Sequence, residues 1–214
     1  MAKQPSIFWP SYGDLMTSLF FIMLVLFILT IGVLVRQVRA TQAQLDKIRE
    51  IEQAIKELPE EYFEYKEAYK KHVLNLDVWF PPRQFHFESI EPPERRIDLQ
   101  RDLLEAGHII DSITRAFEYR QDINVQYLVI IEGQASIPYN NPNDYYNNDV
   151  LSFQRALRLK EFWKKNGIDL ENNPNCELII AGSGAAGVPR EPLERDSLNQ
   201  RFLIHIIPKP GVIK

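Results

Sequence analysis

Asp14, Thr17 and Ser18 are the first residues whose types and spacing could do chemistry. They stand in "WPSYGDLMTSLFFIMLVLFILTIGVLV", from Trp9 to Val35. Positions i, i+3 and i+4 share one face of a helix. From Leu15 to Val35 no residue is charged, and the stretch matches the ~20 apolar residues that cross a bilayer as a helix. An aspartate at that depth costs about 3 kcal/mol on insertion scales and ordinarily sits where it binds or relays ions. The same residue could instead lie among the headgroups as a helix N-cap after Pro10, with Trp9 and Tyr12 as interfacial anchors. Residue chemistry alone leaves both readings open.

Other patterns carry less. "GSGAAG", Gly182 to Gly187, satisfies G-x-G-x-x-G after an expected strand, but a dinucleotide site needs a helix to start at the glycines. Here "VPREPLERDS" follows, with two prolines close together, so nucleotide binding is rejected. His72, His86, His108 and His205 are scattered, with no pairing at helical spacing and no cysteine cluster, so no metal site and no cofactor is expected. Ser152 and Ser183 lack the strand-turn setting of a nucleophile elbow, and no enzyme signature survives. The net charge of −4 argues against a nucleic-acid binder, and Cys176, the only cysteine, rules out an internal disulfide.

The elements that must hold these residues follow from composition. Arg36 and Arg39 come directly after a run too long for a secretory signal, so the span, 12–37, reads as an uncleaved anchor behind a short N-terminal segment, 1–11. Lys3 and the amino terminus on one side nearly balance the two arginines on the other, so charge does not set orientation. A helical linker or dimerisation segment, 38–75, follows. In it Ile48, Ile51, Ile55, Leu58 and Tyr62 make a short heptad seam, interrupted by Pro59. A solvated helical spacer fits that segment equally.

The remainder, 76–214, reads as an α+β domain of order βαβαββ. "FPPRQ" and "IEPPER" bracket Phe85 and Phe87, which alternate as in a strand. Leu103, Ala106, Ile110, Ile113 and Phe117 keep helical spacing within Ile97 to Arg120. "VQYLVIIEG" reads as a buried strand, "DVLSFQRALRLKEFWKKNG" as a helix with Asp149 as its cap and Gly167 as its stop, and "CELIIAG" and "QRFLIHIIP" as the closing strands.

From about Trp79 to Pro208 the chain resembles the OmpA-like peptidoglycan-binding family. The family's "G-H-T-D" loop corresponds to "GQAS", Gly133 to Ser136. Its "N-x-x-L-S-x-x-R-A" stands as "NDVLSFQRA", and its late "G-x-G…P…N-R-R-V" is echoed by "GSG", Pro189 and "NQRFLI". The amino-terminal "FWPSYGDLMTSLFF" resembles the "W-x-x-S-Y-x-D-L-M-T" of MotB-type stator subunits. Together the two matches cover most of the chain. With its altered wall motifs the chain also resembles the ZorB-type motor subunits of Zorya antiphage systems.

The resemblance implies a single-pass protein of the bacterial inner membrane, N-terminus cytoplasmic and C-terminal domain periplasmic. It implies that Asp14 carries the ion, H+ favoured over Na+, with Thr17 and Ser18 lining the path. It implies a homodimer within a ring of five MotA-like or ZorA-like multi-span partners, and peptidoglycan bound by Asn148, Leu151, Ser152, Arg155, Asn199 and Arg201. Arg155 would pair a stem-peptide carboxylate. Two positions depart from the family: its loop aspartate is Ser136 here, and the first arginine of its late pair is Gln200. Asp144, Asn147 and Asn148 are candidates to replace the acid, or make plain turns. The expected function is an ion-driven rotary motor subunit. Antiphage defence ranks above flagellar motility, and a non-motor membrane-to-wall tether is the competing class.

Overall fold

A computed structural model describes residues 8–76, 78, 80–81, 83–90, 92–115, 125–137 and 145–210. The chain forms two compact units, 1–47 and 48–214. In the first, helix α1 begins at Phe8, and its side chains are exposed throughout 12–43. Among the described residues this is the one helix long and apolar enough to cross a membrane, by length and composition. Apolar residues on every side of a helix belong in lipid or inside a protein, not in water.

Helix α1 runs on to Lys56, and Pro59 follows its end. The second unit is a mixed α+β domain built on a five-stranded sheet. Its elements are β1 (Phe63–Lys66), β2 (Lys71–Leu74), α2 (Arg96–Arg115), β3 (Val125–Gly133), α3 (Tyr145–Lys165), β4 (Cys176–Gly182) and β5 (Phe202–Pro210). The sheet order is β1-β2-β5-β3-β4. Strands β3 and β4 are parallel, joined through α3, and β5 lies antiparallel between β2 and β3. Tyr127, Val129 and Ile131 of β3 and Phe202 and Ile204 of β5 meet Leu103, Ala106 and Ile110 of α2 and Ala156, Leu159 and Trp163 of α3 in one core. Trp163 Nε1 donates to the Leu103 carbonyl at 2.7 Å. Gly107 makes room for that indole, since a Cβ there would lie 2.6 Å from Nε1.

Several expectations change. The β1–β2 hairpin occupies part of the segment expected as helical linker (38–75), so the sheet domain begins well before residue 76. Ile51, Ile55 and Leu58, the middle of the expected heptad seam, are buried in the domain core, so this face is used within one chain rather than between two. Phe85 and Phe87 form no strand. Phe87 starts a 3-10 turn and packs on Phe162 at 5.1 Å, and the prolines around it remove the N–H donors a ladder needs. Helix α3 begins at Tyr145, so Asp149 lies inside it and caps nothing. Helix α2 is described only to Arg115, so Phe117 and the rest of the expected helix to Arg120 fall outside the described residues, as do Trp79 and Asp144.

Candidate functional sites

Asp14 lies six residues past Phe8 within α1, too far inside the helix to be its N-cap. The two hydroxyls of its face turn back on the helix: Thr17 Oγ1 donates to the Gly13 carbonyl at 2.7 Å, and Ser18 Oγ to the Asp14 carbonyl at 2.9 Å. That closure suits lipid, where an unsatisfied donor is costly. The Asp14 carboxylate has no hydrogen-bond or ionic partner among the described residues.

The second site is centred on Arg155, on the inner side of α3. Its side chain is 3% exposed. Nε donates to the Gln84 carbonyl at 3.2 Å, and the guanidinium lies over the Phe80 ring, 4.5 Å from its centroid. No carboxylate pairs with it among the described residues. Burial lowers its pKa to about 10, which leaves it cationic at neutral pH. A buried cation without a counter-charge is expensive, and an incoming anion would offset that cost.

Gln200 links Phe80, whose ring carries this guanidinium, to Ser136. Its Oε1 accepts from the Phe80 N–H at 3.2 Å, and its Nε2 donates to Ser136 Oγ at 3.3 Å. The two positions that depart from the family pattern therefore touch each other, as a neutral amide and a hydroxyl. Asn148 Nδ2 donates to the Ser136 carbonyl at 2.8 Å and ties the same loop to α3.

The other expected ligand residues work mainly inside the chain. Ser152 is fully buried, donating to the Asp149 carbonyl and accepting from the Gly184 N–H, both at 2.9 Å. Asn199 is buried too: Oδ1 accepts from the Glu191 N–H at 2.8 Å, and Nδ2 donates to Asp196 at 2.9 Å. Arg201 donates to Gln134 Oε1 and to the Pro189 carbonyl, each at 3.0 Å. All three are engaged by groups of the chain itself. Leu151 is half-buried on α3. The Asn147 side chain lies outside the described residues.

Sequence reasoning missed Phe80, Gln84 and Asp196. Asp196 Oδ2 accepts from the Ile137 N–H at 2.6 Å, while Oδ1 meets Arg190 and Asn199. It also missed a buried ionic cluster. Glu132 Oε2 accepts from Lys71 Nζ at 2.9 Å and meets His205 Nε2 at 2.8 Å, and Lys71 reaches the Val188 carbonyl. Burial pushes the Glu132 pKa up, but hydrogen bonds from His205, Lys71 and Ser183 outweigh it and hold the group down to about 2. Glu132 is the single acid in the apolar run "VQYLVIIEG", the one signal that could have pointed to it.

No family model matches the chain, and no curated protein does. Solved structures similar to it include the OmpA-like domain of FopA1 from Francisella tularensis, at 16% identity over 69% of this chain and 79% of that one, with a TM-score of 0.42. The periplasmic domain of Helicobacter pylori MotB is 17% identical over 70% and 88%, with a TM-score of 0.42. A MotB-like protein from Desulfovibrio vulgaris is 16% identical over 78% and 96%, with a TM-score of 0.40.

Proposed function

We propose that the chain is an ion-driven motor subunit of the bacterial inner membrane, anchored to peptidoglycan and serving antiphage defence. One observation carries the reading: each unit holds a charge with no counter-charge among the described residues, Asp14 in the apolar helix and Arg155 in the sheet domain. Asp14 asks for a cation and Arg155 for an anion. Asp14 loads an ion from one side of the membrane, loses its charge and releases the ion to the other, driven by ~2.3 kcal/mol per charge per 100 mV. A proton needs only that one carboxylate, whereas a hard metal cation needs several oxygen ligands. A carboxylate within an apolar helix is costly in lipid, and a second copy together with a MotA-like or ZorA-like multi-span partner would shield it. Arg155 pairs a stem-peptide carboxylate of the wall.

The wall half is tested with the full chain in detergent micelles and isolated sacculi. The wild-type chain and Asp14→Asn should pellet with the sacculi, and Arg155→Ala should stay largely in the supernatant. Equal pelleting of all three would remove Arg155 from the wall site.

A further inference from the structure

The last turn of α1 holds a carbonyl that the helix cannot satisfy. In a continuing helix the Ile55 oxygen would accept from the N–H of residue 59, and Pro59 has none. His72 of β2 supplies the donor instead, with Nε2 lying 2.9 Å from the Ile55 oxygen. A carbonyl only accepts, so the proton of the neutral ring is on Nε2, and Nδ1 carries a lone pair.

The surroundings of that ring suit a neutral imidazole and penalise a charged one. His72 is 2% exposed, and its Nδ1 has no hydrogen-bond partner among the described residues. The ring lies 4.8 Å from Tyr65 and edge-on to Phe63 at 6.0 Å. The charged and titratable groups around it are already engaged. On the α1 side, Lys56 stands over the Tyr65 ring and pairs with Glu67, and Glu52 lies near Tyr65. On the sheet side, Lys71 of β2 and His205 of β5 both meet Glu132. Burial pushes the His72 pKa below its ordinary 6.5, the bond to Ile55 opposes that, and His205 lowers it further.

The strand that carries His72 is lightly joined. Strand β2 pairs with β5 at His72–Ile204 and Val73–Leu203, whereas β3 pairs with β5 along its whole length, Val125 to Gly133. A segment held at so few points opens before the core does. We propose that His72 is a proton-operated latch: neutral, it ties the last turn of α1 to β2, and on protonation Ile51 to Leu58 and the β1–β2 hairpin open from the sheet domain. An imidazolium adds a second N–H, on Nδ1, where no acceptor meets it, and opening gives that N–H to water.

The test is amide hydrogen exchange of the full chain in micelles, corrected for the intrinsic pH dependence of exchange. Between ~pH 7.5 and ~pH 5.5, exchange in residues 51–74 should rise about five- to tenfold, the shift expected when an imidazole of ordinary pKa gains its proton on opening. Strand β3 should stay protected. His72→Gln keeps a side-chain N–H but cannot become charged, and should show no such rise. In the wild-type chain, 15N shifts of the His72 imidazole should titrate with the same midpoint as the exchange. Equal exchange at both pH values, a matching rise in β3, a rise that persists in His72→Gln, or an imidazole midpoint different from the exchange midpoint would each overturn the inference.

Discussion

Asp14 and Arg155 are both charges without counter-charges among the described residues, but their surroundings are opposite. Asp14 projects from a helix exposed on every side, with Thr17 and Ser18 closed onto its backbone. Arg155 is enclosed by its own chain, stacked on Phe80 and tied to Gln84. Arg155 is fixed by contacts within the sheet domain, whereas the Asp14 carboxylate makes none among the described residues. Glu132 supplies the third case, a buried charge whose partners Lys71 and His205 are already present.

Breaking that third case should have the largest effect on stability. Glu132→Ala leaves Lys71 partly buried without its partner, and should cost about 3 kcal/mol in chemical denaturation of the full chain in micelles. A loss below about 1 kcal/mol would mean that the cluster is solvated and the contrast with Arg155 overstated.

The pH dependence of the same group sharpens the point. The folded pKa of Glu132, about 2, lies below its ordinary value of 4.5. Its contribution is therefore fully present above pH 4.5 and is lost as pH falls from there toward 2. Wild-type stability should decline through that window more steeply than that of Glu132→Ala, by roughly 3 kcal/mol in total. Parallel acid profiles would contradict the assignment.

A smaller effect is expected at the link between Phe80 and Ser136. Gln200→Ala removes two hydrogen bonds, to Phe80 and Ser136, and should cost about 1 kcal/mol. The smallest belongs to Arg155→Met. Removing an unpaired buried charge while keeping much of the side-chain volume should change stability by about 0–1 kcal/mol, even as pelleting with sacculi is lost. A loss of 3 kcal/mol or more would show that Arg155 is structural and already paired.

Much of the fold was legible because its central strands are continuous apolar runs. "VQYLVIIEG", "CELIIAG" and "QRFLIHIIP" lie beside one another at the centre and one edge of the sheet. The β1–β2 hairpin was not legible: "FEYKEAYKKHVL" is charge-rich because β1 is the opposite edge strand, and its pairing to β5 spans most of the domain. Phe85 and Phe87 misled because alternation recorded packing against α3 rather than a ladder. Of the residues that the resemblance singled out, Ser152, Asn199 and Arg201 are engaged in bonds within the chain. Their roles depend on partners such as Gly184, Glu191 and Pro189, which no local pattern reveals. Phe80 and Gln84 reach Arg155 across some seventy positions of chain, beyond any periodicity.

If Asp14 carries the ion, it must gain and lose charge for the protein to work. Asp14→Asn keeps shape and hydrogen bonding but cannot ionise. It also makes the helix more apolar, so membrane insertion and complex formation should match wild type. The measurement is activity of this variant, as phage protection in cells carrying the chain with its multi-span partner, alongside the protein level in membranes. The account predicts normal level with no protection, and partial activity for Asp14→Glu. Protection at wild-type strength from Asp14→Asn at normal level would contradict it and leave the chain a tether between membrane and wall.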